Sequence, residues 1–174
     1  MGNQSVKNIL VFLLIIGAGA YVWKNRQPDS AQKQSSDVIA NPVYAEARVK
    51  MSVMGREIEG VMLGKTVDQA DCQKNIETIK RQMEIQSPHI CPTCRVETTT
   101  QCKTELLPRY ARLFDNEPTS VSYISLGQGD PSEREYRLIY WGVTVEESGR
   151  LCSAVPQIQR GRKGVVTCIR SPQG

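Results

Sequence analysis

Gly64-Lys65-Thr66-Val67-Asp68-Gln69 and Gly142-Val143-Thr144-Val145-Glu146-Glu147 carry the same order of residue types: a glycine and, two positions on, Thr-Val-acid-(Gln or Glu). In each run the threonine hydroxyl can accept a free backbone N–H while the Gln or Glu three residues later reaches back, so both predict a helix start built as a capping box. Beyond the first, Cys72, Ile76, Ile79 and Met83 fall at i, i+4, i+7 and i+11, an apolar stripe that Ser87-Pro88 brings to an end. Beyond the second, Leu151, Val155 and Ile158 supply the apolar side of a helix that also carries Cys152, with Gly161 and Gly164 placed to end it.

Outward from these two starts, the same elements recur. Alternating hydrophobicity over 49–54 and 57–63, turned at Gly55-Arg56, precedes the first helix, and the β-branched stretch 95–102 follows it. Strands over 120–126 and 135–143 precede the second helix, and 165–170 follows it. The expected fold class is therefore α+β: two β-β-α-β halves, residues 46–103 and 119–174, joined by a short connecting helix within 104–115. Each half then owns one cysteine on its helix and one on the strand after it. That pattern predicts disulfides Cys72–Cys102 and Cys152–Cys168, and leaves Cys91 to pair with Cys94.

Six cysteines against one histidine in 174 residues point to a compartment. A cytosolic chain has no general reason to keep so many thiols, whereas an oxidising environment turns them into cross-links. Half of the net charge of +4 sits before residue 46, which leaves the rest near neutral. No nucleic-acid partner is expected, because phosphate binding needs a concentrated basic face.

After a short tail, 1–8, residues 9–23 form an uncharged apolar run between Lys7 and the pair Lys24 and Arg26. The run is shorter than the roughly 20 residues that cross a bilayer, so it reads either as a single-pass transmembrane anchor or as the apolar region of a signal peptide. Ala18-Gly19-Ala20 has the small-x-small form of a cleavage site, whereas Tyr21 and Trp23 ahead of two cations have the form of an interfacial belt and favour the anchor. Residues 24–45, rich in Gln, Ser, Asp and Asn, read as a flexible linker. Flanking charge alone would turn the domain of 46–174 inward. The cysteines outweigh it, so the expected location is the inner (cytoplasmic) membrane with the C-terminal domain outside the cytoplasm, or the periplasm if the leader is cut after Ala20.

Cys91-Pro92-Thr93-Cys94 is the one segment with a reaction in it: as a thiol-disulfide oxidoreductase, Cys91 would attack and Cys94 resolve. The residues that follow favour a strand rather than the helix whose N-terminus would stabilise a thiolate, so a structural disulfide is the preferred reading. His89, Cys91, Cys94 and Cys102 would complete a Cys₃His zinc set in a cytoplasm-facing module, at a spacing that fits no common zinc ribbon. Gly-x-Ser-x-Gly, Walker A and His-Glu-x-x-His are all missing from the sequence. The segments 127–131 and 160–164 read as a hairpin connection and a solvated turn rather than as phosphate sites.

Tyr136, Leu138 and Tyr140 line one face of the strand over 135–143, and Ile139, Trp141 and Val143 the other. Such a strand is buried on two sides, or else Tyr123, Tyr136 and Tyr140 form a partner-binding surface. Together these features suggest a membrane-tethered, extracytoplasmic, non-enzymatic domain for protein interaction or envelope-assembly scaffolding. No cofactor is expected, and the protein partner is one that the sequence does not identify.

Overall fold

A computed structural model describes residues 39–53, 55–90, 95–130 and 133–172, without the side chains of 53, 83–90 and 95. The expected anchor over 9–23, most of the linker, and Cys91 with Cys94 lie outside the described residues. The elements run β1 Val43–Val53, β2 Arg56–Thr66, α1 Gln69–Ile90, β3 Arg95–Lys103, α2 Pro108–Phe114, β4 Tyr123–Leu126, β5 Tyr136–Trp141, α3 Val145–Ser153, α4 Val155–Gln159 and β6 Val166–Ile169. The strands form one antiparallel six-stranded sheet in the order β3-β1-β2-β5-β4-β6. That order reads the same from either edge once β4, β5 and β6 are matched to β1, β2 and β3. The two groups of three strands meet at the β2–β5 ladder.

Alternation along the strands gives the sheet two apolar faces. Val49, Met51, Met62, Leu138 and Leu126 pack with Ile79 of α1, Leu151 of α3 and Ile158 of α4 on one side. Val61, Leu63, Tyr123 and Ile139 pack with Tyr110 and Leu113 of α2 on the other. Disulfides Cys72–Cys102 and Cys152–Cys168 tie α1 to β3 and α3 to β6. Each thus fastens a helix to an outer strand of the sheet.

Tyr123, Tyr136 and Tyr140 do not make a surface. They are 1%, 3% and 2% exposed, and Tyr123 faces α2 while the other two face the opposite helix layer. A central strand sandwiched between two layers has no open side, and the hydroxyls that enter it find partners. Asn75 Nδ2 donates to the Tyr136 hydroxyl at 2.6 Å, and the Tyr123 hydroxyl donates to the Glu117 carbonyl at 2.9 Å.

Several boundaries move from their expected places. β1 takes up the last residues of the expected linker, because Val43 and Ala45 continue its alternation and cover the Cys72 side of α1. In the hairpin, Val53 pairs with Arg56, so Arg56 belongs to β2 rather than to the turn. Gly55 remains in the turn with φ of 79°, a left-handed conformation that costs glycine little. Thr66 does not cap α1. It ends β2, where its hydroxyl donates to the Val43 carbonyl at 2.6 Å, and the cap falls to Asp68, whose Oδ1 accepts the Asp71 N–H at 2.8 Å. The matching threonine in the second half, Thr144, does close a capping box with Glu147.

Prolines account for the remaining shifts. Pro88 lies within the last turn of α1, where losing one hydrogen bond does not stop a helix already anchored upstream. Pro108 sits in the first turn of α2, which therefore starts later than 104, since proline's fixed φ suits that position. Pro156 divides the second helix into α3 and α4 in the same way.

Candidate interaction face

The strand faces that meet α2 are not all covered by it. This short helix lies over β2, β5 and β4, and leaves the same face of β3, β1 and the start of β2 outside its apolar cluster. Residues of alternate parity occupy that face: Glu46, Arg48, Lys50 and Ser52 on β1, Glu57 and Glu59 on β2, and Glu97, Thr99, Gln101 and Lys103 on β3. Sequence alternation explains the division, because β1 carries small or apolar residues at odd positions and polar ones at even positions from Glu46 to Ser52.

Register places Glu97, Lys50, Glu59 and Trp141 side by side across four adjacent strands. Beyond the edge of α2 they open onto a groove of about 480 Å³, lined also by Ser52 and Glu57. Behind the groove-lining Trp141, the Tyr110 ring of α2 meets the indole edge-on at 6.4 Å between centroids. Arg48 ties α2 to the sheet: Nη2 donates to the Tyr110 hydroxyl at 2.7 Å and Nη1 to Glu59 Oε1 at 3.1 Å.

Beneath the outer part of this face lies a buried carboxylate. Glu46 is 1% exposed, accepts from Arg48 Nε at 2.6 Å and from Gln101 Nε2 at 2.9 Å, and has Lys103 Nζ 2.8 Å from Oε2. Burial pushes its carboxyl up, but the hydrogen bonds from Lys103, Arg48 and Gln101 outweigh that and hold it below the ordinary carboxylate value. The anion therefore stays charged and orients one residue of β1 and two of β3. Order on this face comes from paired charges rather than from apolar packing.

Chemically, the row offers two carboxylates, an ammonium between them and an indole. These can form ion pairs and hydrogen bonds and provide a flat apolar contact, which is the equipment of an interface. Among the described residues no group of three or more His, Cys, Asp or Glu side chains is arranged to hold a metal. Cys102, one of the four candidate zinc ligands, is bonded to Cys72 and so is not available as a thiolate, which removes the Cys₃His set. His89 lies in α1 on the backbone, while the redox pair Cys91 and Cys94 falls outside the described residues.

Two loops that invited a phosphate reading instead bind each other. The buried Glu133 carboxylate accepts the N–H groups of Gly129, Lys163 and Gly164 at 3.1, 2.7 and 2.8 Å. Arg162 donates to the carbonyls of Gly127 and Arg134 at 3.0 and 2.8 Å. The run 160–164 is thus a turn whose backbone is packed while Arg160 and Lys163 stay exposed, and a buried anion already occupies the donors that a phosphate would need. Comparison with known families, with curated proteins and with solved structures finds no match to this chain.

Proposed function

We propose that the chain is a membrane-tethered, extracytoplasmic protein-interaction domain that engages its partner through the polar face of β3, β1 and β2 and the groove ending at Trp141. The observation that carries the reading is the incomplete cover of that face. α2 buries the apolar residues beside it, while the charged row Glu97, Lys50, Glu59 and the rim of Trp141 stand beyond the helix. Trp is among the residues that protein interfaces enrich at their centre, and the lysine and glutamates beside it would form the polar rim. Two disulfides fit a non-reducing environment outside the cytoplasm and suit a small rigid domain there. The apolar run at 9–23 and the polar stretch after it would hold the domain near the membrane surface while letting it search.

A photo-cross-linking residue placed in living cells at position 50 or 57, with position 80 on α1 as the control, tests this reading. Adducts to the same protein are expected from 50 and 57, none from 80, and both should disappear when Trp141→Ala is added to protein that still unfolds in one cooperative thermal transition. Adducts equally abundant from position 80, or none from the face, would contradict it.

A further inference from the structure

The two edges of the sheet are built differently. β6 has four residues, Val166–Ile169, and Pro172 follows soon after, so that edge is short and blunt. β3 has nine residues, Arg95–Lys103, without proline or glycine, and pairs with β1 in an unbroken register from Tyr44↔Lys103 to Ser52↔Arg95. Among the described residues no strand pairs with its outer side. Long, regular edges offer a row of backbone donors and acceptors to another strand, and sheets ordinarily prevent this by shortening, bulging, interrupting or charging the edge. Of these devices β3 has charge alone, at Arg95, Glu97 and Lys103, which opposes a second strand unless opposite signs meet across the pair.

We propose that β3 is the self-association surface of this protein, pairing antiparallel with β3 of a second copy about a two-fold axis through Thr100. The charge pattern selects both the occupant and the register. With Thr100 opposite itself, Glu97 falls opposite Lys103 twice and Thr99 falls opposite Gln101 twice, each pair on one face of the joined sheet. Opposite charges directly across an antiparallel pair are favourable and like charges are not. A slip of two residues between the strands, to an axis through Thr99, would set Arg95 opposite Lys103 and lose the Glu97–Lys103 match. Lys103 is already positioned by its ion pair with the buried Glu46 at 2.8 Å, so its placement costs little further ordering. Pairing in this way continues the sheet across both copies and brings their two polar faces onto one side. It uses the outer backbone of β3 and shares only Glu97 with the residues lining the groove, so self-association is read separately from the partner binding proposed above.

Sedimentation velocity of the full chain in mild detergent, disulfides intact, reads the association directly. A reversible dimer is expected. Glu97→Lys, which turns both matched pairs into like-charge pairs, should weaken it at least about tenfold in protein that still unfolds in one cooperative thermal transition. In a second measurement, Thr100→Cys should form a disulfide between the two copies of position 100, located by peptide mapping under non-reducing conditions. A monomer at every concentration, a dimer indifferent to Glu97→Lys, or a position-100 cysteine that never links to its own copy would each overturn the proposal.

Discussion

Arg137 of β5 closes the C-terminal end of α2: its Nε donates to the Leu113 carbonyl at 2.6 Å. Nη2 adds the Phe114 carbonyl at 3.0 Å, and Nη1 the Tyr136 carbonyl at 2.8 Å. The guanidinium also lies over the Phe114 ring, 4.7 Å from its centroid. A cation placed where helix carbonyls run out of partners favours that end of the macrodipole. The connecting helix is thereby fixed to the inner strand of the second half, the one that pairs with β2, and its position decides how much of the polar face is left open.

Replacing Arg137 by Met should consequently destabilise the domain by about 3 kcal/mol or more, because several buried carbonyls lose their donor at once. Lysine should rescue little, since one ammonium cannot reproduce the fork that reaches three carbonyls. Urea unfolding of the two variants beside the parent checks both statements.

The two disulfides should differ in weight. Cys152–Cys168 closes a loop of sequence separation 16 and Cys72–Cys102 one of 30. Loop-closure entropy assigns about 3 kcal/mol to the shorter and about half a kcal/mol more to the longer. Because Cys72 is also fully buried against Ala45 and Ile76, Cys72→Ala with Cys102→Ala should lower the melting temperature more than the Cys152→Ala, Cys168→Ala pair.

Glu147 gives the fold an acid-sensitive contact. The Arg56 guanidinium hydrogen-bonds its carboxylate, desolvation opposes this, and the Thr144 backbone N–H adds to it, so the carboxyl is held below its ordinary value of 4.5. A carboxyl with a depressed folded value contributes stability above its unfolded value and loses it as pH falls through the folded one. The stability difference between the parent and Glu147→Gln should be full near neutrality and close as pH drops below 4.5. Thr144→Ala, which removes the other side of the capping box, should cost about 1 kcal/mol. Unfolding series across pH measure both effects.

Gly142 borders the groove with φ of 74°, and a Cβ there would lie 2.1 Å from the Glu57 carbonyl oxygen. Both the left-handed backbone and the backbone contact oppose any side chain. Gly142→Ala should cost at least about 1 to 3 kcal/mol, read by denaturant unfolding, and should shift the Trp141 fluorescence, because relief must come from movement at the groove rim.

Where hydrophobic period and cap chemistry agreed, the elements were legible in the sequence. The Leu151 stripe and the Thr144–Glu147 box name α3, and Cys72, Ile76 and Ile79 name the buried side of α1. Identical local chemistry misled at Thr66, because ladder pairing with Val43 claimed that residue before the cap could. The polar face was harder to find. Glu46 and Arg48 look like ordinary solvated charges until β3 supplies Gln101 and Lys103 from more than fifty residues away, and no local period reports such a partner. Arg137 did leave a trace, as the one charge within the apolar strand Tyr136–Trp141.

Peptide mapping under non-reducing conditions, on protein whose free thiols are blocked before the cells are opened, bears most directly on the pair of stapled halves in an oxidising compartment. Peptides joined through Cys72–Cys102 and through Cys152–Cys168 are the expected result. Recovery of those four cysteines as alkylated thiols, or joined in any other pairing, would contradict it.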